Sequence, residues 1–453
     1  MQITFLGGAE TVTGSKYLLS FDNKNILIDC GLYQGLKELR LRNWNPFPID
    51  PSQINAVLLT HAHIDHSGYL PLLIKNGFKG KIYSTEGTRD LCTVLLPDSG
   101  YLQEEEARNA NKYGYSKHKP ALPLYTRQDG IDAIKYFNPL AFEKKIDLTN
   151  DFQFQFIRAG HIIGSSFIRI QYKNFSLLFS GDLGRPHDPV MQPPTIIRDI
   201  DYLIVESTYG NRLHEPGHPK QYLKDIINKT LERDGTIIIP SFAVGRAQAL
   251  LHYICLLKNE KSIPDIPVYL DSPMAINSTQ ILLKHHDELR LSENDCRQLN
   301  EIAVFVNTPE ESKELDKKNK TPKIIISASG MATGGRILYH IETYAPDDRN
   351  TILFTGYQAI GTRGSRMMNG ETEIKMHGQM IPVRAEVKML SNTSAHSDSR
   401  ETLQWLSHFN QPPKKVFITH GEYEAATSLK QKIENKFGWE CNVPHYQQEE
   451  ILS

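Results

Sequence analysis

Residues 58–70 read LLTHAHIDHSGYL, and within them His61, His63, Asp65 and His66 crowd three imidazoles and a carboxylate into six positions directly after an apolar run. A packed core has little use for so many imidazoles. Imidazole and carboxylate together suit zinc, manganese or iron better than calcium or magnesium. A single tetrahedral ion with one open position takes three protein ligands. Four candidates in one short loop therefore point to two metals sharing it. The plain alternative is a polar surface loop in which His63 or His66 caps the next helix. Further donors stand where strands end: His161 after FQFIRAG, Asp182 after LLFSG and His420 after VFIT. Each alone reads as an ordinary turn residue. Their joint pattern carries the weight.

Strands must bring these residues together. MQITFLG and SKYLLSF alternate apolar and polar positions, and NILIDCG and INAVLLTHAH are apolar runs ending in polar residues, so the first 70 residues read as a β-meander. Residues 69–145 read as mainly helical. FQFQFIRAGHIIGSSFIRIQY, FSLLFSGDLG and DYLIVESTYG form a second group of strands. Two β-rich blocks with helices between and after them predict a sheet-on-sheet sandwich flanked by helices. From about residue 208, strands (TIIIPSF, IPVYLDSP, KIIISASG, NTILFTGY) alternate with helices (QYLKDIINKTLERDG, GRAQALLHYICLLKN, GGRILYHIETYA). That alternation predicts βαβ units and a largely parallel sheet. KVFITHGEYEAATSLKQKIENKFG adds a last strand, turn and helix.

The chain has 453 residues, room for two or three domains, with 40% hydrophobic and 23% charged residues and a net charge of −1. That balance argues against a broad cationic coat for nucleic acid and leaves room for a local basic groove. Five scattered cysteines without a CxxC read as reduced thiols of a cytoplasmic protein. No signal peptide and no apolar run of about 18–20 residues is expected, hence no membrane. The Gly-rich stretches match neither a P-loop nor a dinucleotide fingerprint, so no nucleotide cofactor is expected. SGMATGGR sets Gly334, Gly335 and Arg336 at a helix start, where free N–H groups favour phosphate, or else forms an ordinary turn; Ser329 belongs to the same stretch. Arg246 in VGRAQ, and Arg363 and Arg366 in GTRGSR, offer guanidinium forks.

THAHIDHSG, AGHIIGS, SGDLG and NILIDCG resemble the ordered motifs of the metallo-β-lactamase superfamily. IVESTYG, TSAHSD and ITHGE resemble three further motifs of its nucleic-acid-processing β-CASP branch. PSFAVGRAQALL, SASGMATGGR and GYQAIGTRGSR make the chain most similar, within that branch, to prokaryotic relatives of the cleavage-and-polyadenylation endonuclease. The likeness spans nearly the whole chain, with every motif in order.

The resemblance implies an α/β fold: an αββα sandwich (1–207 and 389–453) interrupted by a β-CASP domain (208–388) with a largely parallel sheet flanked by helices. It implies that His61, His63 and His161 hold one zinc, that Asp65, His66 and His420 hold a second, and that Asp182 bridges both, with Mn2+ or Fe2+ as substitutes. Asp29 would orient the ligand loop from behind. Two such cations roughly 3.5–4 Å apart lower the pKa of a shared water and offset charge on a phosphoryl group. The departing 3′ oxygen needs a proton. His396, left without a metal, is the candidate acid, and Glu206 would accept its other ring N–H. Without the resemblance, His396 reads as a residue at a helix start and Glu206 as a cap or ion-pair partner. His420 in place of an aliphatic residue implies RNA, single-stranded, rather than DNA, with cleavage inside the strand, from a 5′ end, or both. Relatives often pair as homodimers. Rival readings are a lactonase, thioesterase or β-lactamase on the same scaffold, a di-iron redox protein (against which His63 speaks), and a catalytically silent RNA-processing scaffold.

Overall fold

The computed structural model describes residues 1–114, 116–317, 321–356, 358 and 361–453. Tyr357, Ala359 and Ile360 of the GYQAIGTRGSR stretch lie outside the described residues. The chain divides into two compact units. One comprises Met1–His187, Gln192–Leu213 and His396–Ser453, and the other Asp188–Met191 and His214–Ala395. The principal seams fall at 213/214 and 395/396, against the expected 207/208 and 388/389.

The first unit holds two seven-stranded sheets. One contains β1 (Gln2–Gly7), β2 (Lys16–Phe21), β3 (Lys24–Ile28), β4 (Ala56–Leu58), β5 (Lys81–Thr85) and β6 (Phe137–Leu140), with β22 (Glu449–Ile451) beside β1. The other contains β7 (Ile146–Thr149), β8 (Phe152–Arg158), β9 (Ser166–Tyr172), β10 (Phe175–Phe179), β11 (Tyr202–Glu206), β20 (Lys415–Thr419) and β21 (Cys441–Asn442). In β8, buried Phe152, Phe154 and Phe156 alternate with half-buried Gln153 and Gln155. These phenylalanines join Phe5, Leu19, Phe179 and Phe417 in one core cluster drawn from both sheets. Burying each such ring contributes about 1.5–3 kcal/mol. A second cluster packs Trp405, Leu406 and Ile433, from helices Ser399–Leu406 and Tyr423–Phe437, against Leu178, Val205 and Ile418. Helix Glu86–Tyr113 lies against β5 and β6.

Only β1 to β3 form the expected meander; β4 pairs parallel to β3. The 27 residues between those strands, 29–55, bring the chain back to the start of the sheet, which a hairpin turn cannot do. β5 and β6 lie inside the stretch expected to be mainly helical. Runs as short as KIYST lack the length that separates strand from helix by periodicity.

Strand direction is what collects the site. β9 is antiparallel to both β8 and β10, so those two point the same way. β11 runs parallel to β10, and β20 to β11. β8, β10, β11 and β20 thus deliver their C-terminal ends to one edge of their sheet. β3, β4 and β5 do the same in the other sheet. These central strands are almost wholly buried and correspondingly apolar, as strands covered on both faces must be.

The second unit has a six-stranded parallel sheet. Its order is β14 (Val304–Phe305), β13 (Val268–Asp271), β15 (Ile324–Ser327), β12 (Ile237–Pro240), β16 (Thr351–Phe354), β19 (Glu386–Met389). β19 runs across the expected 388/389 seam and pairs with β16, so it belongs to this unit. A hairpin of β17 (Glu373–Met376) and β18 (Gln379–Pro382) stands apart. Helices Pro273–Lys284, Glu293–Glu301 and Pro309–Lys317, which the sequence reading did not pick out, complete the connections. Among the described residues no helix is long and apolar enough to cross a membrane.

Candidate metal centre

The candidate ligands of the first unit, with Asp29 and Glu206, sit at or just past the ends of strands. Asp29 follows β3, the 61–66 loop follows β4, His161 follows β8, and Asp182 follows β10. Glu206 ends β11, and His420 follows β20. Asp29 (φ 56°) and His420 (φ 49°) adopt left-handed backbone, which strands cannot continue. Such conformers cost of order 1–3 kcal/mol and collect at functional sites.

Three imidazole nitrogens converge on one point. His63 Nδ1 lies 3.2 Å from both His61 Nε2 and His161 Nε2. Asp182 Oδ2 lies 3.2 Å from His61 Nε2, 3.4 Å from His161 Nε2 and 4.0 Å from His63 Nδ1. Asp182 Oδ1 faces the other way, 3.1 Å from His66 Nε2 and 3.4 Å from His420 Nε2, and Asp65 Oδ2 lies 3.8 Å from His420 Nε2. One carboxylate thereby turns one oxygen toward each of two donor sets, His61–His63–His161 and Asp65–His66–His420.

The donor set fits divalent cations. A tetrahedron with metal–nitrogen distances of about 2.0–2.1 Å has donor–donor edges of about 3.3–3.4 Å, close to the 3.2–3.4 Å separations of the first set apart from the 4.0 Å between His63 and Asp182. His66 Nε2 and Asp182 Oδ1, 3.1 Å apart, are buried with no aligned hydrogen bond among the described residues, a cost the protein bears unless a cation meets them. Ring tautomers agree. Asp29 Oδ2 accepts from His66 Nδ1 at 2.7 Å, which turns the Nε2 lone pair inward. Thr60 Oγ1 donates to Asp29 Oδ2 (2.8 Å) and so accepts from His61 Nδ1 (3.1 Å), with the same result for His61. Ser15 Oγ pairs with His420 Nδ1 at 2.8 Å.

Protonation follows these surroundings. Burial, aided by the charge of His66, pulls His61 down to about 4, and burial lowers His161 and His420 as well. Neutral imidazoles are the ligand form. His66 runs the other way: burial opposes its charge, but Asp182 and Asp29 flank both ring nitrogens and lift it well above the usual range. Burial raises Asp182, yet the charges of His420, His66 and His61 outweigh this and hold its carboxyl well below the usual range. A cation entering the second set therefore displaces a proton from His66.

His396 stands beside this centre. Its Nδ1 contacts Glu206 Oε1 at 3.0 Å and Oε2 at 3.2 Å, and its Nε2 lies 3.8 Å from Asp182 Oδ2. Leu183 N (2.6 Å) and Thr208 N (3.2 Å) donate to the same Glu206 carboxylate and fix it. His396 forms a β-bridge with Gly184, where a Cβ would fall 2.2 Å from the Gly160 backbone. Burial lowers His396, but the charges of Glu206 and Asp182 carry it to about 9. Cations at Asp182 would oppose that lift.

Asp29→Asn is expected to weaken metal binding by about 10–100-fold, the usual effect of losing an outer hydrogen-bond partner. Competition against a chelating dye measures this, and an unchanged affinity would remove Asp29 from the support of His66. The sequence reading missed Ser15 and Thr60 as such supports. Thr60 adjoins the histidine loop and was open to notice. Ser15 lies 405 positions from His420, and nothing local marks it.

The guanidinium groups of the second unit expected to act as phosphate forks have protein partners. Arg336 caps the helix Ile337–Tyr344 as expected, but its guanidinium bonds Asp271 Oδ1 (2.6 Å) and the carbonyls of Val306 (3.1 Å) and Asn307 (2.9 Å). Asp271 also binds His340 (2.7 Å), whose far nitrogen meets Asp316 (2.6 Å); burial opposes the His340 charge, and the two carboxylates lift it to about 9. This is a buried ion network serving the fold. Arg363 bonds the carbonyls of Lys375, Ala332 and Thr333; Arg246 contacts Thr393; Arg366 pairs with Glu371. Ser329 Oγ bonds Thr333 Oγ1 and N. Gly334 and Gly335 do precede the helix, but the Ile337 and Leu338 N–H groups already bond Ala328 and Gly335.

A two-sheet α/β sandwich whose strand ends converge two donor sets on one carboxylate defines a metal-dependent hydrolase. Family models agree: the metallo-β-lactamase superfamily matches residues 11–233, the Beta-Casp domain 247–367, and the Zn-dependent metallo-hydrolase RNA specificity domain 380–444. Ribonuclease TTHA0252 of Thermus thermophilus is 34% identical, over 95% of this chain and 95% of that protein. Transcription termination factor FttA of Methanosarcina mazei is 33% identical, over 96% of this chain and 69% of that protein. A solved protein of unknown function from Enterococcus faecalis, 14% identical, covers 100% of this chain and 99% of that one with a TM-score of 0.56, a likeness of fold. The chain belongs to the β-CASP branch of the metallo-β-lactamase superfamily.

Proposed function

We propose that the protein is a zinc-dependent endoribonuclease that hydrolyses phosphodiester bonds of single-stranded RNA in the cytoplasm. The observation that carries this reading is the His396–Glu206 pair beside Asp182. A 3′ alkoxide is a poor leaving group and departs with a proton, whereas the thiolate of a thioester needs no such donor. The ribonuclease among its relatives supports the same choice.

In this reading His61, His63 and His161 would hold one Zn2+ and Asp65, His66 and His420 the other, with Asp182 offering an oxygen to each set. Bound there, the cations lower the pKa of water toward neutrality and offset phosphoryl charge. The protein does the rest. Asp29, Thr60 and Ser15 hold ring tautomers. Glu206 keeps the Nδ1 proton of His396 in place, and His396 Nε2 gives its proton to the departing 3′ oxygen.

A circular RNA tests the reading, since only internal cleavage opens a circle. Zinc-loaded protein is expected to linearise it and leave 5′-phosphate ends. Turnover of a lactone, thioester or β-lactam with the circle intact would overturn the proposal.

A further inference from the structure

The helix Lys37–Arg42 has no buried residue. Six residues do not sustain a helix alone, and this one is held at its base. Asn43 Nδ2 donates to Tyr33 O (2.8 Å), Tyr33 N donates to Asn43 Oδ1 (2.9 Å), and the Arg42 guanidinium lies 5.5 Å and 4.8 Å from the ring centroids of Tyr33 and Tyr446. What it presents to solvent is unusual for a surface turn: Leu36, Leu41 and Trp44 are 55%, 53% and 57% exposed. Lys37 and Arg40 stand among them, exposed and, among the described residues, without a carboxylate partner, against one acid, Glu38. Large apolar side chains gathered on a surface mark a contact site.

The helix also belongs to the edge that carries the metal centre. It grows from the loop after β3, whose Cys30 N donates to His66 O (2.7 Å) and Leu32 N to Ile64 O (2.9 Å). Gly31 in that loop is so close to Asp65 that a Cβ would fall 1.6 Å from its carbonyl oxygen. The loop that packs on Asp65 and His66 thus runs on, within five residues of Leu32, into this helix.

We propose that the helix Lys37–Arg42 with Trp44 is a landing for single-stranded RNA beside the metal centre. Trp44 stacks on a base, and Lys37 and Arg40 meet phosphates. Exposed indole interleaved with unpaired cations is the chemistry that grips a single strand without reading its sequence. The charge favours RNA over a second copy of this chain, which would set these cations against one another. The proposal rests on the ribonuclease reading for its ligand, but its test does not depend on cleavage.

Of the three tryptophans, Trp405 and Trp439 are 5% and 7% exposed, so Trp44 alone faces solvent. The full zinc-loaded chain is mixed with an oligouridylate of about 12 nucleotides, within the span such surfaces cover, and tryptophan emission is read before any cleavage. RNA is expected to quench Trp44 emission, and Trp44→Ala is expected to abolish the change. In cleavage assays Trp44→Ala and the pair Lys37→Glu, Arg40→Glu should each raise KM about tenfold, the effect falling on KM rather than kcat. Rapid cleavage with no quench and an unchanged KM would overturn the landing while leaving the ribonuclease reading intact. Quenching without any cleavage would support the landing and overturn that reading. Emission that shifts with protein concentration in the absence of RNA would assign the surface to a second copy and overturn the proposal.

Discussion

His396→Ala is expected to lower kcat on RNA by about 10³-fold, within the range for losing a general acid, while the variant keeps its metal content and melting temperature. The geometry separates these outcomes. The side chain touches Glu206 and approaches Asp182, but it stands outside both donor sets. The histidine loop keeps its supports in Asp29, Thr60 and Ser15. Removing the imidazole therefore takes away a proton rather than a ligand. A second measurement makes the role specific. With a 3′-bridging sulfur in place of the leaving oxygen, the departing thiolate needs no proton, so the variant should approach the parent on that substrate. A defect of equal size on both substrates would sink the general-acid role, and so would a loss of zinc.

Asp182→Ala is expected to reduce bound metal at both sets and to abolish turnover. Its carboxylate is the one anion shared by all five inward-facing imidazoles, with Oδ2 toward His61, His63 and His161 and Oδ1 toward His66 and His420. Without it the two sets lose their common donor, and two cations would face each other with no negative charge between them. The affinity should fall by well over the roughly 10–100-fold that loss of an outer partner costs. Elemental analysis after dialysis reads the result, with two ions per chain expected for the parent. A variant retaining two ions would remove Asp182 from the bridge. Asp182→Asn sharpens the comparison, because an amide offers one neutral oxygen and can serve only one set.

Much of this centre was legible in the sequence because its signals are local. Strands announce themselves by apolar runs, and donors standing immediately after four such runs are positioned by the sheet. The spacing His61, His63, Asp65, His66 lies within one loop and needs no knowledge of the remainder. The chain could not announce which ring nitrogen each donor would turn inward. That choice belongs to Asp29 for His66, Thr60 for His61 and Ser15 for His420, and in the last pair 405 positions separate the partners.

The arginines make the complementary point. Arg246, Arg336 and Arg363 sit in Gly-rich stretches that look suited to phosphate, yet each guanidinium has protein partners. Whether a cation is free depends on which carboxylates and carbonyls packing brings to it, and Asp271 is 65 positions from Arg336. Nothing in the sequence marks Trp44, because exposure is likewise decided by neighbours.

The sequence by itself determined the donor types, their places at strand ends and the alternation of elements, since side-chain chemistry and periodicity are properties of short segments. Tertiary structure alone decided the parallel sense of β4, the two oxygens of Asp182 facing opposite donor sets, the burial that neutralises His61 and His161, and the exposure of the helix that follows the Gly31 loop. Those outcomes depend on long-range pairing and on exclusion of water, which no window of the chain contains.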